Sequence, residues 1–262
     1  MHGIAQDDTF SPNHMNPPSA VLPPEAVASL LPDEPRWVEV RGMLLTGMGH
    51  PVGTVATSPV TFVALHAGDD QVAVVGRPAH ALIQNAAAGA TELLAVPENA
   101  DWVTAALPSW QLESATIHTL SNPDLLRAVS PGVVREVTIP ELAGLPVQYA
   151  ELRDDLLVEA RSGTPVFAAF AGEQPAAFCY AGSVTERWWD ISIDTLEPFR
   201  RRGYASQCVA HVVRHMDAQG KRPVWGAFES NTASARLAAK LGFTPVDAVV
   251  VFSPPVETER AA

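Results

Sequence analysis

Several things are scarce in this chain. It has two cysteines in 262 residues, Cys179 and Cys208, both inside apolar stretches. That is too few for a disulfide-stapled scaffold, so the fold must rest on its core. One bridge or two buried thiols would both fit, and the thiols suit a reducing compartment. No apolar run approaches the ~20 residues of a membrane span. No Lys or Arg precedes Arg36, so a secretory leader with a basic start is not expected. These absences lead us to expect a soluble, cytoplasmic protein with no membrane contact.

Positive charge is also short. Lys and Arg total 17 against 29 Asp and Glu, a formal net charge of −12. A nucleic-acid partner needs a basic face, so that class is excluded. The shortage is uneven. Residues 1–140 hold 5 Lys+Arg against 14 Asp+Glu, and residues 141–262 hold 12 against 15. Three of those twelve are consecutive, Arg200-Arg201-Arg202. Such a spot suits a small anionic ligand.

Apolar material is plentiful, with 47% hydrophobic and 18% charged residues, enough for one large core or two ordinary ones. Residues 1–24 contain five prolines and little periodicity, and read as a disordered tail. A first segment, 25–140, reads as helices at 26–31 and 37–45, then a hairpin over 61–76 turning at Gly68-Asp69-Asp70. A helix at 79–88, a strand in TELLAVP, a helix at 100–107, a strand in ATIHTL and a helix start at Asn122-Pro123-Asp124 follow. A second segment, 141–253, is entered by a strand in VVREVTIP. It then reads as a helix at 147–161, a hairpin around Glu173, a strand at 187–195, the arginine loop and a helix at 203–218. A strand at 223–228, a helix at 232–241 closed by Gly242 and a strand in DAVVVFS complete it. Residues 254–262 form a second tail. The fold class is α/β of the α+β type, a mixed sheet flanked by helices. The first segment repeats the element order of the second faintly, as expected of tandem copies with a degenerate first one.

The loop FRRRGYASQ lies between the strand ending at Thr195 and the helix starting at Gly203. A helix N-terminus exposes backbone N–H groups and carries the positive end of the macrodipole. Gly203 lets a ligand approach the backbone, and arginines add bidentate contacts to phosphate. Cations oppose the dipole there, so a plain helix cap would not choose three of them. The spacing is neither G-x-G-x-x-G nor G-x-x-x-x-G-K-[ST], which disfavours dinucleotide and P-loop sites. A diphosphate is the expected ligand.

Arg200-Arg201-Arg202-Gly203-Tyr204-Ala205 resembles the pyrophosphate loop R/Q-x-x-G-x-G/A of the GNAT superfamily of acyl-CoA-dependent N-acyltransferases. About thirty residues on, VWGAFESNTASARLAAKLGF resembles that family's strand–Asn–helix–LGF block through Asn231, Ser234, Leu237 and Leu241-Gly242-Phe243. The resemblance covers about 145–253. It implies acetyl-CoA as cosubstrate, held by backbone at Ile193, Thr195 and Leu196. It also implies diphosphate contacts from Arg200, Arg201, Arg202, Gly203, Tyr204, Ala205 and Ser206, and contacts to the pantetheine arm from Asn231 and Ser234. The amide of Leu196 would polarise the thioester carbonyl. Asn231 and Ser234 equally suit helix capping. The reaction implied is acetyl transfer to a primary amine of a small-molecule or amino-acid-like substrate.

Where many relatives carry a tyrosine to protonate the leaving thiolate, this chain has Ala238, so the resemblance also leaves open a module that binds acyl-CoA without turnover. Asp190, Asp194 and Glu229 are the candidate bases. Strand alternation puts Asp190 and Asp194 opposite Thr195, on a face that a β-bulge could switch. His211 and His215 have metal-ligand spacing but lack the Glu of H-E-x-x-H, so no metal is expected. Trp188 and Trp189 suit either a substrate pocket or the core.

Overall fold

The computed structural model describes residues 22–68 and 70–255. The expected tails lie outside it apart from residues 22–24 and 254–255, as does Asp69 of the expected turn. The chain runs α1 (Pro24–Ala28), α2 (Val38–Leu45), β1 (Gly49–Thr57), β2 (Val60–His66), β3 (Gln71–Val75), α3 (His80–Ala86), β4 (Glu92–Ala95), α4 (Ala100–Ala106) and β5 (Gln111–Leu120). It continues α5 (Pro123–Arg127), β6 (Val134–Glu136), α6 (Ile139–Ala143), α7 (Ala150–Ser162), β7 (Phe167–Ala171), β8 (Gln174–Val184) and β9 (Trp188–Thr195). It closes with α8 (Tyr204–Asp217), β10 (Arg222–Phe228), α9 (Thr232–Lys240) and β11 (Phe243–Ser253).

All these strands join one 11-stranded sheet, ordered β1-β2-β3-β4-β11-β5-β10-β9-β8-β7-β6. Most neighbours are antiparallel, whereas β3–β4 and β9–β10 are parallel. The order reveals an exchange. β5 of the first half sits between β11 and β10, and β11 of the second half sits between β4 and β5. The two pair antiparallel from Phe243 opposite Leu120 to Ser253 opposite Gln111. Each half therefore completes its sheet with the other half's last strand.

Period-2 alternation sends side chains to two faces. On one face α8 and α9 cover Phe167, Cys179, Trp189, Ile191 and Trp225, while α3 and α4 cover Val72, Val74, Leu93 and Phe252. α1 and α2 cover the other face at Phe62, Ala64 and Ala73, and α6 and α7 cover it at Ala168 and Phe178. α8 shows why the pattern works. Val209, Val212, Val213 and Met216 recur on one stripe and are all buried. Cys179 and Cys208 are free and buried, and burial pushes the Cys179 thiol up, which makes it unreactive.

α2 belongs to the first half but packs on the second. Arg41, buried, donates Nε–H to Glu186 Oε2 at 3.0 Å and Nη1–H to the Leu31 carbonyl at 2.6 Å. Glu186 is exposed, so only its removal would leave a buried charge, that of Arg41, short of its ionic partner. Asp33 adds a second clasp, accepting from Thr185 Oγ1 at 2.7 Å and from Trp188 Nε1 through its carbonyl at 3.1 Å. Gly42 is needed because α2 rides so close to β8: a Cβ there would lie 2.9 Å from Ser183 Cβ.

Candidate active site

The parallel strands β9 and β10 pair only where Trp188, Trp189 and Asp190 meet Arg222, Pro223 and Val224. Beyond that they part. The Leu196 N–H donates to the Ala176 carbonyl of the neighbouring chain segment at 3.0 Å. Alternate residues of an antiparallel ladder point opposite ways, so the backbone groups of Ile193 and Thr195 face the gap on the β10 side. The Leu196 amide itself is already engaged, which corrects the expectation that it would polarise a carbonyl. Its side chain is buried among Val166, Ala168 and Phe178.

The corresponding place in the first half is closed. β3 and β4 stay paired from Gln71–Glu92 to Val74–Ala95. After β3, Arg77 lies over the Trp102 ring at 5.9 Å, and Trp102 Nε1 donates to the Pro78 carbonyl at 2.8 Å. Trp102 thus packs over the turn that follows β3.

At the mouth of the β9–β10 gap the loop winds through Arg201 at φ 61° and Gly203 at φ 91°. For arginine this left-handed conformation costs roughly 1–2 kcal/mol. The strain aims successive amides outward as an anion nest. α8 begins at Tyr204, so the N–H groups of Tyr204, Ala205 and Ser206 lack a helical partner, and no side chain caps them. A Cβ on Gly203 would meet nothing within 4 Å, so its backbone angle, not crowding, calls for glycine. Arg200, Arg201 and Arg202 are exposed. Arg200 Nε reaches back to the Thr195 carbonyl at 3.3 Å, tying the loop to the strand end. Tyr204 packs edge-on against Phe199, centroids 5.9 Å apart. Ser206 is buried. The residues present therefore fit a diphosphate at the loop and an extended chain in the gap.

Next to the gap lies a cavity of about 650 Å³ between α2, α7 and the central strands. Asp190, Gly226 and Asn231 line its end at the gap. Register explains how Asp190 is presented. Gly182 and Ser183 of β8 bulge opposite Asp190, and its neighbours Trp189 and Ile191 point into the opposite core. The bulge lies on β8, so β9 keeps its alternation and Asp190 needs no switch of face. Its Oδ1 is buried without a hydrogen-bond partner. Burial pushes the Asp190 carboxyl up to about 6, partly offset by the amides of Gly226 and Ile191. Above it stands Glu39 of α2, pushed up to about 8 by burial and by the nearby charges of Asp190 and Glu92.

The other candidates lie elsewhere. Asp194 lies at the end of β9, its carboxyl raised by partial burial and by Asp155, with Arg200 pulling the other way. Glu229 is exposed just past β10, with its N–H on the Ser114 carbonyl at 3.0 Å. Neither lines the cavity. Asn231 lines the cavity and caps α9, its Oδ1 accepting from the Ser234 N–H at 3.0 Å. Ser234 Oγ accepts from Trp225 Nε1 at 2.9 Å. Ala238 is buried in the core with Leu241 and Phe243. Trp189 is core, and Trp188 packs beside Arg222, so neither forms a pocket wall. His211 and His215 both rest on the Phe167 ring, at 5.2 and 5.0 Å. Glu39, Glu92, Glu159 and the His66–Asp70 pair were not singled out by sequence, because no motif spacing links them.

Residues 164–252 match the family model of the GNAT acetyltransferase domain. No curated protein matches the chain in sequence. Among solved structures, a GCN5-related N-acetyltransferase-like protein from Streptococcus suis 89/1591 is 17% identical, with a TM-score of 0.65 over 87% of this chain and 96% of that one. A GCN5-related N-acetyltransferase from Kribbella flavida is 14% identical, with a TM-score of 0.56 over 84% and 94%. A tandem GNAT protein from the clavulanic acid biosynthesis pathway is 16% identical, with a TM-score of 0.50 over 82% and 86%. At such identities the likeness establishes the fold. The chain has a GNAT fold, and its residues 164–252 match the acetyltransferase domain of that family.

Proposed function

We propose that the protein is an N-acetyltransferase that moves an acetyl group from acetyl-CoA to a primary amine held in the cavity. One observation supports this reading: the cavity is lined by Asp190, whose Oδ1 is buried without a hydrogen-bond partner, and by Gly226 and Asn231, past the point where β9 and β10 stop pairing. Bound acetyl-CoA supplies the thioester carbonyl that the amine attacks, forming the C–N bond and releasing a thiolate.

The chain's own groups divide the remaining work. The amides of Tyr204, Ala205 and Ser206, with Arg200, Arg201 and Arg202, bind the diphosphate. The backbone of Ile193 and the Thr195 N–H, facing the gap, align the pantetheine arm, and their amides take the polarising role that Leu196 cannot. Asp190 accepts the proton of the arriving ammonium. With its carboxyl near 6 it is ionised at neutral pH yet basic enough to take a proton. A thiol of ~8.5 leaves as thiolate without an acid at Ala238.

The test is thiol release from acetyl-CoA with a panel of amines, alongside calorimetry. We expect turnover, one CoA bound per chain, and weaker, less salt-sensitive CoA binding by Arg200→Ala/Arg202→Ala. Unchanged CoA affinity in that variant would sink the loop assignment. Ala238 favours a second reading, a module that binds acyl-CoA without turning it over. CoA binding with no thiol release across the panel would establish it instead.

A further inference from the structure

The cavity extends well beyond what one reacting amine needs. Its lining runs from Glu92 on β4 to Asp190 on β9. Those strands are four steps apart in the sheet order, about 19 Å at ~4.8 Å per step. The floor between them is aliphatic, made by Leu94, Ala115, Ile117, Val249 and Val251. The charged groups on the walls are Glu39, Asp70, Glu92, Glu159 and Asp190, with His66 as the one imidazole, and no Lys or Arg among the described residues.

These carboxylates are placed in series. Glu39 lies within the field of both Asp190 and Glu92. Glu92 Oε1 accepts from Gln71 Nε2 at 3.0 Å, which fixes its position while Oε2 remains available. His66 Nδ1 and Asp70 Oδ1 are 3.1 Å apart, and Glu159 of α7 is near enough to feel His66. Independently of this acidic lining, Asp190 Oδ1 is buried with no partner, a site missing a donor.

We propose that the acceptor is a linear aliphatic polyamine, its reacting nitrogen at Asp190, its methylenes on the Leu94–Ile117–Val251 floor and a further ammonium at Glu92. This rests on the acetyl-transfer reading above and narrows it. Two cations joined by methylenes match carboxylates joined by an aliphatic floor. An acceptor carrying its own carboxylate meets several like charges and no cation, so the same lining rejects amino acids. The transfer balances as before: the reacting nitrogen loses a proton to Asp190, the C–N bond forms, the C–S bond breaks, and the remote ammonium is unchanged.

Three compounds of one chain length test this with acetyl-CoA: 1,8-diaminooctane, 1-aminooctane and 8-aminooctanoate. We expect kcat/KM for the diamine to exceed that of the monoamine by about tenfold or more, the size of one charge-assisted hydrogen bond, with 8-aminooctanoate slowest. Glu92→Gln keeps an acceptor for Gln71 and should pull the diamine-to-monoamine ratio toward one. A ratio of one in the wild-type protein, or a preference for 8-aminooctanoate, overturns the inference. CoA calorimetry on the same sample separates the failures. If CoA binds and the ratio is one, only the polyamine assignment falls. If CoA does not bind, the acetyl-transfer reading falls and takes this one with it. If CoA binds but no amine turns over, the diamine is titrated into the CoA complex, and no preference over the monoamine there overturns the assignment.

Discussion

Asp190 and Glu39 keep two carboxyls in a site that does not solvate them well, and each has a measurable signature. Asp190→Asn should lower kcat by roughly 10²–10⁴ while leaving CoA affinity unchanged, because the base is lost and the arginine loop is not. In the wild-type protein kcat/KM should rise with pH through about 6, and that limb should vanish in the variant. Glu39 makes its mark on stability. Its carboxyl is raised from 4.5 to about 8, so the folded state holds this proton more tightly than the unfolded chain. The stability it confers is full below 4.5 and is lost as pH rises toward 8. Glu39→Gln cannot ionise, so above pH 8 it should melt higher than wild type, at roughly 2–4 °C per kcal/mol relieved. A lower Tm at that pH would show that Glu39 has a stabilising partner. Neither role was open to the sequence in full. Asp190 was a candidate although strand alternation set it opposite Thr195, whereas Glu39 meets it only because Gly42 lets α2 descend onto the β8 bulge, and no spacing rule joins residue 39 to residue 190.

At the scale of elements, the arginine loop was legible because its strand end, turn glycine and helix start are contiguous. The same holds for α8, whose four apolar residues repeat at helical period, and for α9, closed by Gly242. β1 was not. Pro51, Gly49 and Gly53 punctuate it and a register shift follows Val52, so it reads as loop and survives only as an edge strand. α6 was absorbed into the expected strand before it, although Thr138 and Glu141 form a capping box, with the Thr138 N–H 2.8 Å from Glu141 Oε2. The gap between β9 and β10 gives the element-scale prediction. A Cβ on Gly226 would meet only Ile117 Cδ1, at 3.9 Å, so a larger side chain enters the cavity instead of clashing. Gly226→Leu should therefore abolish amine turnover, by more than about tenfold in kcat/KM, while CoA still binds. Loss of CoA binding would mean that cavity and cofactor gap are not separable.

The whole molecule is less divisible than its sequence suggests. Two similar runs of elements could have been two domains on a linker, and periodicity says nothing about which strand pairs with which. The exchange of β5 and β11 joins them in one sheet, and the Arg41–Glu186 and Asp33–Thr185 contacts clamp α2 and the α1–α2 segment across the join. Residues 141–262 expressed alone lack β5, leaving β10 and β11 with bare edges where it lay. We expect that fragment to be insoluble or unfolded by circular dichroism, and the intact chain to melt in one transition. A soluble, CoA-binding fragment would contradict the interlock. The continuous β3–β4 pairing contrasts with the parted β9 and β10, and the first half lends a strand to the sheet and Glu39, Glu92 and the His66–Asp70 pair to the cavity.

The same exchange sets an order in time. During synthesis β4 and β5 emerge early but cannot be joined, because the strand that belongs between them, β11, is made long after both. Leu94 waits for Val251, and Thr119 for Val224. Such distant pairings close slowly and leave strand edges open meanwhile. The nascent chain must therefore hold a half-built sheet until β11 appears, and a truncation that removes β11 would disable the first half as surely as the second.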